Sequence, residues 1–280
     1  MKIVIVGLGA IGSSFAQALT QAGYQDIRGI DSKPETCLKA EELGIVKTAQ
    51  TSDDQALSQA DLVFITLHPQ AVAPYVKSKQ DLLKPSCLLT DVTGIKRDVM
   101  AQVEAILRPE LDFIYAHPMR GSEKAGIAGL NSAQFRGANA LLVVSPRNQE
   151  SHLALVEALY RAMGFQDVSR VRAEDHDRAI AYVSQLMHVL SVAAVNAAPD
   201  CENTMQFAGN SFQELTRIAD VNAPLWTDLF LHNRDYLLKS IEAFEKEVSR
   251  IKRALENNDY AQLQDAFQAS TKQRRAWYVD

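Results

Sequence analysis

Glycines at positions 7, 9 and 12 directly follow the apolar run Lys2–Val6 and open a helix-length amphipathic segment. Few arrangements of glycine constrain a fold so tightly. In Gly7-Leu8-Gly9-Ala10-Ile11-Gly12 the first glycine makes the tight turn and the second lets a pyrophosphate approach the backbone. The third lets helix and strand pack closely. The helix amino terminus then favours phosphate charge. Glycines alone could make a phosphate-free turn, but the strand before and the helix after supply the full dinucleotide-binding context. Asp31 ends the second apolar run, where a carboxylate can bond a ribose 2′-hydroxyl and repel a 2′-phosphate. The reading is therefore NAD over NADP, held by Gly7, Gly9, Ile11, Gly12 and Asp31, with the Lys33 charge nearby working against it.

From residue 2 to about 169 short apolar runs alternate with helix-length amphipathic ones. The candidate strands are Lys2–Gly7, Asp26–Asp31, Asp61–Leu67, Cys87–Val92, Asp112–His117, Ala138–Ser145 and Phe165–Ser169. Such alternation predicts an α/β domain of Rossmann type, a doubly wound and mainly parallel sheet covered on both faces. After Val171 strand patterns stop, and helices are expected over Ala173–Ala198, Asn203–Ile218, Leu225–Asn257 (broken) and Tyr260–Arg275. The expected organisation is a dinucleotide-binding domain over 1–170 and an all-α substrate and dimerisation domain over 171–280.

The whole chain is 280 residues with a net charge of −5, which offers no basic footprint for nucleic acid or an anionic membrane. Cys37, Cys87 and Cys201 are odd in number and never paired as Cys-x-x-Cys, which suits reduced thiols rather than disulfides or zinc. The glycines interrupt the apolar start, no cleavage site follows, and no stretch reads as membrane-spanning. A cytoplasmic protein is expected.

His117 ends the apolar run Asp112-Phe-Ile-Tyr-Ala, and Pro118 and two glycines shape the loop after it. Ligands of open α/β sheets bind outside the carboxyl ends of the strands, so this imidazole is displayed where substrates go. It titrates near neutrality and can carry a proton either way. The plainer alternative is a strand-end histidine bonding a loop carbonyl.

The Ala173–Ala198 helix is apolar almost all round, as a helix buried in a large core or an interface must be. Ser184, His188 and Ser191 share one face at i, i+4 and i+7, with Gln185 beside them. The seam either lines a polar cavity or bonds its own backbone one turn back. Arg217 follows another apolar face and offers the planar receptor a carboxylate needs, or an ion pair with Glu214. His176 reads as part of a helix start, and His68, His152 and His232 as packing or surface residues.

Together these segments resemble the prephenate/arogenate dehydrogenase family, the TyrA-type enzymes of tyrosine biosynthesis. His117-Pro-Met-Arg-Gly-Ser-Glu-Lys-Ala-Gly126 is similar to the family's H-P-[MI]-A-G-[ST]-x-x-[SA]-G loop, and Val183-Ser-Gln-Leu-Met-His188 to its V-S-H-x-P-H helix. Gly209-Asn-Ser-Phe-Gln-Glu-Leu-Thr-Arg217-Ile-Ala219 resembles G-G-G-F-x-D-x-T-R-I-A, and Pro224–Asn233 the segment that follows. The resemblance implies NAD-linked oxidative decarboxylation of prephenate to 4-hydroxyphenylpyruvate, with arogenate as the alternative substrate. A homodimer is expected separately, because the Ala173–Ala198 helix has too many apolar faces for a small domain to cover. The resemblance also implies that His117 takes the ring hydroxyl proton as hydride leaves for the nicotinamide. Arg217 would hold a substrate carboxylate and His188 the side-chain end. The loop and helix placements add Arg120, Ser122, Ser184 and Gln185 as candidate substrate contacts, with Arg120 either a second cation or an outward-pointing side chain.

Departures accompany the likeness. Asp91-Val92-Thr93-Gly94-Ile95-Lys96 stands where the family often shows D-x-G-S-x-K. The serine that commonly bridges histidine and nicotinamide is thus Gly94, and Thr93 is the nearest hydroxyl for the cofactor. Arg120 replaces a usual alanine, and Gln185 and Met187 replace a histidine and a proline. The two domains use up the chain, so no fused chorismate mutase or ACT domain is expected. A β-hydroxyacid dehydrogenase would want K-x-x-N, but Ala193 stands three residues before Asn196. A catalytically silent NAD-binding regulator draws support from Gly94 alone.

Overall fold

The computed structural model describes residues 1–52, 54–120, 126–198 and 204–278. Among them, eight strands form one sheet: β1 (Ile3–Val6), β2 (Ile27–Ile30), β3 (Thr48–Gln50), β4 (Leu62–Ile65), β5 (Leu88–Asp91), β6 (Asp112–His117), β7 (Asn139–Val143) and β8 (Asp167–Val171). Their order is β3-β2-β1-β4-β5-β6-β7-β8. Neighbours are parallel except β6 and β7, which run antiparallel with His117 opposite Leu141. The mainly parallel sheet read from the alternation is present, with β3 added. That strand is three residues with only the middle one partly covered, too short for periodicity to show. β8 lies two residues later than the run Phe165–Ser169, because Phe165 packs into the core after Gly164 turns at φ 103°.

The sheet is sandwiched by α1 (Ala10–Gln21), α2 (Pro34–Glu42), α3 (Asp54–Gln59), α4 (Pro69–Lys79), α5 (Arg97–Glu104) and α6 (Glu150–Ala162). All four residues of β1 and of β4 are buried, as strands covered on both faces require. Side chains alternate between two apolar clusters, Ile3, Ile5, Phe15 and Phe64 on one face and Val4, Val6, Val63 and Ile65 on the other. The winding direction reverses between β1 and β4, which opens a crevice at the carboxyl edge. Gly7, Asp31, Gly94 and His117 end or follow β1, β2, β5 and β6 and therefore share that edge.

Beyond β8 come α7 (Ala173–Ile180), a π-helical segment (Ala181–Gln185) and α8 (Leu186–Asn196). The single helix expected there is continuous, but its middle turn is widened. α9 (Asn210–Thr216) lies between the 3₁₀ turns Thr204–Phe207 and Arg217–Ala219, so the expected helix over this stretch is interrupted before Gly209. α10 (Ala223–His232), α11 (Arg234–Glu256) and α12 (Tyr260–Trp277) follow. By packing, the chain divides into Met1–Asn233 and Arg234–Asp280. In the second unit α11 and α12 pack on each other.

The run Ala173–Asn196 corrects one expectation. It is 24 residues long and apolar enough by composition to cross a membrane. Its charges (Glu174, Asp175, Asp177 and Arg178) all fall near its start. Only 28% of its most apolar window is buried within the chain.

Candidate active site

The first glycine turn is dictated by space. Gly7 has φ 92°, and a Cβ there would stand 2.8 Å from the Thr66 carbonyl. A Cβ on Gly12 would fall 1.9 Å from the Gly7 carbonyl, so only glycine lets α1 seat against the turn. A Cβ on Gly9 meets nothing within 4 Å, which leaves open space at the amino terminus of α1. Ile11 is partly buried against the core. The Asp31 carboxylate accepts the backbone N–H of Leu8 at 2.8 Å and of Lys33 at 3.0 Å. It ties the glycine turn to β2 and keeps lone pairs for a diol. The open cradle, the helix terminus and this carboxylate fit a dinucleotide.

At the end of β6, a chain of bonds fixes the His117 ring. Its Nδ1 lies 2.9 Å from Nε2 of His176, and Nδ1 of His176 lies 2.7 Å from Oδ1 of Asp177. A carboxylate only accepts, so His176 carries its proton on Nδ1 and presents a bare Nε2. His117 must then donate from Nδ1, which leaves its own Nε2 lone pair free. That lone pair faces Gly94, where a Cβ would stand 3.8 Å away.

Asp177 is itself held at the start of α5, accepting from the backbone N–H groups of Lys96 and Arg97 at 2.9 Å each. Burial raises its carboxyl, but the bonds from His176 and these amides outweigh burial and leave it below the usual value. Burial lowers His176 against the pull of Asp177. Burial, then His176 and Lys96, hold His117 well below the ordinary imidazole range. A neutral base facing the carboxyl edge is the result.

Lys96 is fully buried. Its Nζ donates to Asp91 at 2.7 Å, Thr93 Oγ1 at 3.1 Å and the Ala116 carbonyl at 2.5 Å, three acceptors for the three N–H bonds of an ammonium. Asp91 Oδ1 accepts the Ala116 N–H at 3.2 Å. Both backbone groups of the residue before His117 are thus gripped by one buried ion pair.

The helical wall is built from α8 and α10. The His188 ring stacks on Trp226 at 3.5 Å between centroids, and its Nδ1 donates to the Ser184 carbonyl at 3.0 Å. Its Nε2 is left bare, and burial lowers its pKa against that bond.

Residues 15–167 match the family model described as prephenate dehydrogenase, nucleotide-binding domain, and residues 172–269 match prephenate dehydrogenase, dimerization domain. The chain belongs to the prephenate dehydrogenase family. It is 28% identical over 269 residues to the prephenate dehydrogenase of Bacillus subtilis, covering 93% of this chain and 72% of that protein. Among solved structures, prephenate dehydrogenase from Aquifex aeolicus in complex with hydroxyphenyl propionate and NAD+ aligns with a TM-score of 0.90, at 27% identity and over 99% of both chains. Arogenate dehydrogenase from Synechocystis aligns with a TM-score of 0.84, at 25% identity, over 99% of this chain and all of that one.

Within this prephenate dehydrogenase fold, the expected site residues differ in burial and bonding. Gln185 is buried: its Nε2 donates to the Leu229 carbonyl at 2.9 Å, and its Oε1 accepts from Asn233 at 2.8 Å. It ties the π-helical segment to α10. The Thr93 hydroxyl is buried among Asp91, the Ile95 carbonyl at 3.0 Å and Lys96. His188 bonds its own helix through Nδ1 and keeps only Nε2 for other work. Ser184 is partly exposed beside it, and Ser191 is buried. Arg217 is exposed on the 3₁₀ turn that packs against α8, and Arg120 is exposed after Met119, whose φ is 43°. Ser122 lies outside the described residues.

No site role follows from the sequence for His176, Asp177, Lys96 or Asn233, although Lys96 and Asn233 stand within the segments that carry the family likeness. Glu174-Asp175-His176-Asp177 reads as acids favouring a helix start, and that pattern hides the two residues that turn inward. Their burial, 1% exposed each, is the only signal that separates them from the neighbouring surface acids.

Proposed function

We propose that this protein catalyses the NAD-dependent oxidative decarboxylation of prephenate to 4-hydroxyphenylpyruvate. The observation that carries the reading is the bare Nε2 of His117, fixed by His176 on the edge shared with the glycine turn. Bound NAD+ supplies the two-electron acceptor, taking the hydrogen on the ring carbon as hydride. His117 takes the hydroxyl proton, carbon dioxide leaves, and the ring becomes aromatic. Asp31 holds the adenosine ribose and disfavours NADP. His188, through Nε2, and Ser184 meet the side-chain end of the substrate. Arg217 and Arg120 supply cations for its carboxylates. Prephenate has two carboxylates and no ammonium, and two cations suit it better than arogenate. A spectrophotometric comparison of prephenate and arogenate, each with NAD and NADP, tests this. The prephenate–NAD pair should give the highest kcat/KM, and a higher value for arogenate would reverse the assignment.

The protein works as a homodimer, built through its helical part. The apolar run Ala173–Asn196 supports this, since Val183 and Val195 are 56% and 41% exposed in the single chain. Light scattering at micromolar concentration should return twice the 30.9 kDa chain mass. Cys37 and Cys87 are free and buried, in keeping with a reducing cytoplasm.

A further inference from the structure

The proton leaving the substrate has a second place to go. His117 Nε2 is the bare nitrogen at the carboxyl edge, and His117 Nδ1–H already points at an unprotonated nitrogen of His176, 2.9 Å away. Behind His176 stands a carboxylate that can balance a charge there, 2.7 Å from Nδ1. Lys96 works against a positive charge on either ring, but only His176 has the Asp177 carboxylate bonded to it to offset that. The geometry therefore favours a cation one imidazole further from the reacting atoms.

We propose that His117, His176 and Asp177 form a two-imidazole proton relay, in which His176 sets the His117 tautomer and receives the proton. The step conserves protons and moves no electrons beyond those of the oxidation. The substrate O–H breaks as N–H forms at His117 Nε2. The His117 Nδ1–H bond breaks as N–H forms at His176 Nε2. His117 ends neutral, protonated on the opposite nitrogen, and His176 ends as an imidazolium bonded to Asp177. The titratable and charged groups facing the pair are Asp91 at the end of β5, Lys96 just before α5, Asp177 from α7, and Arg97 of α5, whose Nε is 3.5 Å from Asp177. Lys96 neutralises Asp91, so Asp177 is the carboxylate in contact with the relay. His176 touches only other protein groups and is a positioning residue.

The relay rests on His117 being the base, and its test separates the two ideas. His176→Asn keeps a donor to Asp177 but does not reach His117. His176→Gln reaches His117 with an accepting oxygen but cannot take a proton. ¹⁵N-detected NMR of the unliganded protein reads the His117 tautomer without any reaction. Wild type and His176→Gln should be protonated at Nδ1, and His176→Asn should shift toward Nε2. With prephenate and NAD, His176→Asn should lose kcat by about 10²-fold, at the low end of what a general base is worth, with KM nearly unchanged. His176→Gln should lose roughly 10-fold, because orientation survives and the second transfer does not. A wild-type His117 protonated at Nε2, or His176→Asn with wild-type kcat and pH profile, overturns the relay. His176→Gln with full kcat overturns the transfer onto His176. Failure of wild type to oxidise either cyclohexadienyl substrate would sink the functional reading instead, and the NMR result would still judge the tautomer.

Discussion

Gly94 faces the bare nitrogen of His117: a Cβ added to it would stand 3.8 Å from Nε2 and 3.6 Å from the Leu229 side chain. Both are ordinary contacts, so Gly94→Ser should fold with an unchanged melting temperature. Its hydroxyl would sit within reach of Nε2 and donate to the neutral ring. A bond to the neutral form disfavours protonation. The acidic limb of the kcat/KM profile should therefore move to lower pH. A limb that stays in place would mean the hydroxyl turns away.

On the proposed mechanism, His117→Asn removes the base but keeps a polar side chain at the end of β6. It should lower kcat by about 10²–10⁴ with little change in KM, and flatten the acidic limb. Steady-state kinetics across pH check both parts.

On the proposed reading, Asp31 does two jobs with one carboxylate. Asp31→Ala loses the ribose contact and frees the Leu8 amide it now accepts at 2.8 Å. Bonds to a charged group are worth about 1.5–3 kcal/mol, so kcat/KM for NAD should fall roughly 10- to 150-fold. NADP should suffer less, because the repulsion of its 2′-phosphate is also gone. Paired assays with both cofactors decide it.

How far these features could be read in advance depended on how local their signals are. The parallel sheet, the glycine turn and His117 at a strand end follow from patterns within a few residues. β6 runs from Asp112 to His117, the limits its apolar run suggests. The surroundings of Gln185 do not follow from local pattern. Helical spacing puts it beside His188, but a widened π turn and bonds to Leu229 and Asn233, more than forty residues away, pull it inward. His176 and Asp177 depend on α7 meeting the start of α5, a contact between segments about eighty residues apart that no local pattern encodes.

The histidine pair also sets how stability responds to acid. Both imidazoles sit below the ordinary value in the folded state, so the unfolded chain binds more protons as pH falls. Stability then rises with pH through this range. Their contribution is present above about pH 6.5 and is lost as pH drops toward the depressed folded values. Thermal unfolding at pH 5.5 should come at a lower temperature than at pH 7.5. His176→Gln should narrow that gap, and a gap that does not change would place the acid sensitivity elsewhere.

The Lys96–Asp91 pair should matter to both fold and reaction, and the two effects can be told apart. Lys96→Met leaves a buried carboxylate without its cation and the Ala116 carbonyl without its donor. Breaking one side of a buried pair costs about 3–5 kcal/mol, which urea unfolding would show. Adding Asp91→Asn removes the stranded charge and should recover part of that loss, a coupling that a double-mutant cycle measures. Activity should not recover with it. Without the ammonium, the carbonyl of the residue before His117 is no longer gripped, so kcat falls in both variants. Removing a positive charge also favours the imidazolium, so the His117 pKa rises and the acidic limb moves to higher pH. A variant restored in stability but still slow, with its limb displaced upward, is the expected outcome. Full activity in the folded double variant would reduce the pair to a stabilising contact.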